Sequence, residues 1–148
     1  MNTMQTNLDL TLEQAGAILS AWRGSPLACT GIRRLEGGMI NTVLALDFDD
    51  APLSAVVKLT TSGHTFSPEA AALRYLEMHT AFPSPAVYLL DESARIVPYP
   101  FLLMQTLPGE CMAGVKLTED EYDQIDRQLA AALLELHTHT RARYGEID

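Results

Sequence analysis

The chain has 148 residues, 47% of them hydrophobic, and a formal charge of −9. That length and apolar content suffice for one compact body with a real core, and the acidic balance argues against a nucleic-acid partner, whose phosphates call for a basic face. No basic leader with an apolar core opens the sequence and no apolar run approaches a membrane span, so the expectation is a cytoplasmic protein with no membrane partner.

Residues 1–7 are polar and read as a tail. Thr11-Leu12-Glu13-Gln14 then has the capping-box pattern, a hydroxyl followed by Gln three residues on. Leu12, Ala15, Ile18 or Leu19, and Trp22 recur at helical spacing until Gly24 and Pro26 stop the helix. Residues 30–35 alternate as a strand, Gly37-Gly38 breaks it, and residues 41–48 resume as a second strand. Asp49-Asp50-Ala51-Pro52 turns into a third, Leu53-Ser54-Ala55-Val56-Val57-Lys58-Leu59. The three are close enough in sequence to form an antiparallel meander. Cys29 and Cys111 sit in unlike settings with no CxxC spacing and read as reduced, structural thiols.

Lys58 is the residue that asks for an explanation. Alternation puts Val56 and Lys58 on one face of the strand and Ala55, Val57 and Leu59 on the other. An ammonium at the end of a strand that reads as buried needs an anion nearby, because an unpaired charge is costly to take out of water. On its own Gly37-Gly38 reads as a hairpin turn. The lysine two strands later raises it, since glycine amides and an ammonium can converge on one phosphate. Downstream, Ser67-Pro68-Glu69 predicts a helix start with Ser67 as N-cap and Pro68 at the first position, continuing to His79. Glu69, Ala72, Leu73 and Leu76 fall at i, i+3, i+4 and i+7, so the carboxylate lies on the apolar stripe. A first-turn glutamate also suits the helix dipole. Both readings are compatible, and the inward phase favours an ion pair with Lys58.

Residues 82–85 break that helix and residues 86–91 read as a fourth strand. Phe101-Leu102-Leu103-Met104-Gln105 is a fifth, continuously apolar, which predicts a central position. Thr106-Leu107-Pro108-Gly109 ends it in a loop, where strand backbone groups lose their partners and can read a planar ligand edge. Thr118-Glu119-Asp120-Glu121 is a second capping box, and Tyr122, Ile125, Leu129, Ala132 or Leu133, and Leu136 hold helical phase over residues 118–140. His137 and His139 are two apart and face different ways on a helix, and His64 and His79 have no partner pattern, so no metal site is predicted.

In this order, Glu36-Gly37-Gly38-Met39-Ile40-Asn41-Thr42, Val56-Val57-Lys58, Glu69-Ala70-Ala71-Ala72-Leu73, Pro83-Ser84-Pro85, the run from Pro100 to Gly109, Leu133-Leu134-Glu135-Leu136-His137 and Tyr144-Gly145 resemble the aminoglycoside phosphotransferase-like family. That family's fold is similar to protein kinases, and the match is to its small lobe and hinge. The resemblance implies an α+β fold, with a five-stranded, mostly antiparallel sheet and one helix packed on it. A hinge and a long helix opening an incomplete second lobe would follow. It divides the chain into a nucleotide-binding N-lobe at 1–108 and a following segment at 109–148. The implied function is the ATP-binding half of an ATP-dependent kinase of small-molecule hydroxyls, with Mg2+ as the companion ion. Gly37 and Gly38 would cover the phosphates, with Asn41 flanking them. Lys58 would hold the α- and β-phosphates, and Glu69 would fix that lysine. Val43 and Val56 would line the adenine slot, Met104 would close its back, and the backbone of Gln105, Thr106 and Leu107 would bond the adenine edge.

The departure from the family pattern lies after Tyr144-Gly145, where a His-x-Asp loop and a later Asn and Asp would follow; this sequence ends at Asp148. His137-Thr138-His139 does not supply that loop. No catalytic residue and no metal ligand is therefore assigned in this chain, and the expectation for it alone is no transfer and at most weak nucleotide binding. An acceptor, whether aminoglycoside, choline, sugar or amino alcohol, would be bound only with a complete second lobe. The alternative reading is a non-catalytic nucleotide-binding or interaction module. A plain structural domain would leave the phase agreement of Lys58 and Glu69 to chance. The apolar stripe of the 118–140 helix is expected to drive association, either of the chain with itself or with a C-terminal segment.

Overall fold

Thr11 opens helix α1 (Leu12–Arg23) as the sequence predicts: its hydroxyl accepts from the Gln14 amide at 3.1 Å, and Gln14 Oε1 accepts from the Thr11 amide at 2.9 Å. The computed structural model describes residues 8–35, 40–61 and 64–140, so Gly37-Gly38 and Tyr144-Gly145 lie outside it. Gly24 ends α1 in the left-handed conformation, at φ 70°, where a side chain would be strained. Ala15, Ile18 and Leu19 are fully buried, whereas Leu12 of the predicted stripe stays 53% exposed; burial begins one turn later.

Five strands form one sheet: β1 (Gly31–Arg34), β2 (Thr42–Asp47), β3 (Ser54–Leu59), β4 (Val87–Asp91) and β5 (Phe101–Gln105). Their order is β1-β2-β3-β5-β4 and every pairing is antiparallel. The predicted meander is β1 to β3. Strand β5 is interior, but the middle position belongs to β3. A continuous apolar run reports burial on both faces, which any interior strand has, and the edge here is taken by β4.

The sheet has a helix on each face. On one, Leu44, Leu46, Val57, Leu59, Phe101 and Leu103 pack with Ile18 and Leu19 of α1. On the other, Leu102 and Met104 meet Phe66 and Ala70 at the start of helix α2 (Ser67–His79).

Helix α2 departs from expectation at its first turn. Ser67 is already helical, Phe66 is the N-cap residue, and no side chain of its own caps the turn. Glu92 does so from beyond β4. Its Oε1 accepts from the amides of Phe66 at 2.7 Å and Ser67 at 3.0 Å, and its Oε2 accepts from the Ser67 hydroxyl at 2.7 Å. A carboxylate takes both amides, which a serine hydroxyl at this position could not. The predicted stripe of α2 is partly buried, with Leu73 packed in the cluster and Glu69 half-buried; the fully buried residue is Ala70, one position beside Glu69.

Helix α3 (Glu119–Thr138) opens with the second predicted capping box, Thr118 with Glu121, and buries none of its residues. It is tied to α2 near its C-terminal end. Glu135 Oε1 accepts from the Ala81 amide at 2.8 Å, and His139 Nδ1 lies 2.9 Å from the Tyr75 hydroxyl. Among the described residues, no helix is long and apolar enough to cross a membrane.

Candidate nucleotide-phosphate site

Register decides which side chains share a face with Lys58. In the β2–β3–β5 sheet, Val43, Lys58 and Leu102 form one cross-strand row, and Ala45, Val56 and Met104 form the next. The predicted slot residues therefore share one face: Val56 and Met104 are direct cross-strand partners, and Val43 lies diagonally across from Val56. Val43 and Val56 are partly exposed and Met104 is 7% exposed, so the two valines line a surface that Met104 backs.

Glu69 reaches that face from the first turn of α2. Lys58 Nζ lies 2.7 Å from each of its carboxylate oxygens, and the two side chains are 20% and 38% exposed. The ion pair read from phase alone is present. An ammonium carries three donors, and Glu69 engages it through both oxygens without enclosing it. The ring centroid of buried Phe66 lies 5.8 Å from Nζ on the side of α2. The result is a fixed, half-exposed cation at one end of an apolar strip, an arrangement that suits a ligand with an anionic end and a flat apolar end.

The other predicted residues are distributed around this strip. Asn41, just before β2, is half-buried, and its Oδ1 is a buried acceptor with no donor among the described residues. Gln105 closes β5. Its amide donates to the Ala86 carbonyl at 2.9 Å and its side-chain oxygen accepts from the Ala86 amide at 3.2 Å, so its N–H is committed to the sheet. The Thr106 hydroxyl accepts from Ser54 Oγ at 3.1 Å, which ties the segment after β5 to the start of β3, and Leu107 is 45% exposed.

Three contributors escaped the sequence reading. Ala45 lies between Val43 and the hinge end of the strip, next to Val56, and is 3% exposed. Leu35 extends β1 alongside Val43, its amide donating to the Val43 carbonyl at 2.9 Å. Period-two counting from Val43 finds the first, and the hairpin register finds the second. Glu92 had no local signal at all. A cleft of about 490 Å³, bordered by Thr60, His64, Glu92 and Tyr99, opens beyond the Leu59 end of β3 and shares no lining residue with the strip.

The sequence matches the model of the phosphotransferase enzyme family over residues 31–146. The chain belongs to that family. A solved structure from Ralstonia eutropha JMP134, named as a candidate aminoglycoside phosphotransferase, shares the fold at a TM-score of 0.51 and 17% identity. The alignment covers 65% of this chain and 28% of that one. No curated protein matches the sequence. Family membership and shared fold agree on a kinase-like phosphotransferase architecture, and the strip and the Lys58–Glu69 pair lie on its sheet.

Proposed function

We propose that this chain binds ATP through the strip and the Lys58–Glu69 pair, as the nucleotide-binding part of a kinase acting on a small-molecule hydroxyl. The observation that carries the reading is the paired cation in register with Val43, Val56 and Met104. Lys58 holds the α- and β-phosphates and Glu69 keeps it aimed, with Asn41 alongside. The adenine lies on Val43 and Val56 against Met104. With the Gln105 N–H committed to the sheet, the remaining backbone of Gln105, Thr106 and Leu107 meets its edge. The donor set, one cation and a flat apolar bed, fits a nucleoside triphosphate; Mg2+ would neutralise its phosphates, and no residue described here is assigned as its ligand. Residues 1–108 act as the nucleotide lobe and residues 109–148 open the lobe that takes the acceptor, an aminoglycoside, choline, sugar or amino alcohol.

Calorimetric titration of the chain with ATP, with and without Mg2+, tests this. The expected outcome is saturable binding that drops at least tenfold in Lys58→Ala; binding unaffected by that change overturns it.

The exposed stripe on α3 supports a second proposal, self-association. Tyr122, Leu129 and Leu133 are 47%, 52% and 45% exposed, and α3 has no buried residue. Light scattering at micromolar concentration should show a dimer or larger species that Leu129→Glu converts to monomer. A monomeric parent chain rules it out.

A further inference from the structure

We propose that Glu92, which reaches across from the β4–β5 connection, is a positioning residue for the Lys58–Glu69 pair. It touches neither partner and acts through the first turn of α2.

The chain of contacts is short. A helix leaves its first amides without internal partners, and Phe66, the N-cap residue, offers no side-chain acceptor. Glu92 takes the Phe66 and Ser67 amides on one oxygen and the Ser67 hydroxyl on the other. Thr65 Oγ1 adds a longer contact to the Ser67 amide, 3.2 Å. Pro68 follows with its φ fixed by the ring, so little slack separates the residue that Glu92 grips from Glu69. Phe66, held by Glu92 through its amide, is 2% exposed, and its ring is the one that lies beside Lys58 Nζ. Both groups that locate the ammonium on the α2 side, the Glu69 carboxylate and the Phe66 ring, thus hang from the backbone that Glu92 anchors. The Ser67 hydroxyl, then the amides, also hold the Glu92 carboxyl below its usual range, against the effect of burial, so it is ionised at neutral pH.

The sequence allows a direct readout, because it contains two lysines, Lys58 and an exposed Lys116 that serves as internal control. In protein labelled at the lysine Cε and Nζ, Glu92→Ala should shift and broaden the Lys58 signals while leaving those of Lys116 in place. Amide exchange at Ser67 and Ala70 should rise roughly fivefold. Glu92→Gln keeps an oxygen for the two amides and should restore both signals most of the way. Thr11→Ala removes a cap of similar worth from α1 and should leave Lys58 untouched. Unchanged Lys58 signals in Glu92→Ala, no rescue by Gln, or an equal response to Thr11→Ala would each overturn the proposal. The functional arm rests on the nucleotide reading: Glu92→Ala should weaken ATP binding about fivefold, and add nothing further in a Lys58→Ala background. Should the parent chain bind no ATP, that reading fails, and the lysine and amide signals still decide the role of Glu92.

Discussion

On the α1 face of the sheet, Leu44, Leu46, Val57, Leu59, Phe101 and Leu103 are all 2% exposed or less. On the α2 face, the same β2 and β3 strands present Val43, Val56 and Lys58, each partly exposed. One helix seals its side; the other leaves an open strip and holds a cation at the end of it. The difference teaches a division of labour by residue parity. A side that is fully closed contributes stability, and a side that carries the Lys58–Glu69 pair stays part-open, because taking both charges fully out of water would cost more than the closure returns.

The strongest way to break that contrast is Leu103→Ala, which should destabilise the fold by about 2–5 kcal/mol, read from the urea midpoint. A sharper comparison uses two adjacent valines. Val57→Ala should cost about 2 kcal/mol and leave the strip intact, whereas Val56→Ala should cost about half that and weaken nucleotide binding. Equal losses of stability from the two would show that the faces are not divided as described.

Acid should separate the helices next. Hydrogen bonds from Ser67 hold Glu92 below the usual carboxylate range, and the Thr118 amide and hydroxyl do the same for Glu121. A depressed carboxyl contributes stability above its ordinary value and loses it as pH falls through the folded-state value. Amide protection at the starts of α2 and α3, taken relative to the intrinsic exchange rate at each pH, should therefore weaken as pH falls below the ordinary carboxylate range. The start of α1, capped by the neutral Thr11–Gln14 pair, should not respond. The smallest effect concerns the thiols. Burial pushes the Cys29 thiol up, and Cys29 is 8% exposed while Cys111 is on the surface. A thiol reagent at neutral pH should modify Cys111 first and leave the fold unchanged.

The parts legible in the sequence were those written locally. Both capping boxes, the Gly24 stop and all five strands depend on residues a few positions apart, and they stand where residue patterns place them. The Lys58–Glu69 pair was legible because strand alternation and helix phase each aim one partner. Strand order was not, since an apolar run in β5 looks the same whether it lies in the middle or next to it. The N-terminus of α2 misled for a related reason: Ser67 has the right chemistry for a cap, but a carboxylate 25 residues away takes the role. Residues that meet only through the fold leave no mark on spacing.

That distant cap has a kinetic consequence. Helices α1 and α3 carry their own start signals, so their nuclei need no tertiary contact to satisfy the first amides. The first turn of α2 gains its cap only once β4 has docked on β5 and brought Glu92 across, a loop closure whose entropy is lost before any bond repays it. The strands would then be largely paired in the folding transition state while the first turn of α2 is still forming. Glu92→Ala should accelerate unfolding far more than it slows refolding, a φ value near zero in a chevron analysis. Such a value would put the Lys58–Glu69 pair among the last contacts to form and the first to be released.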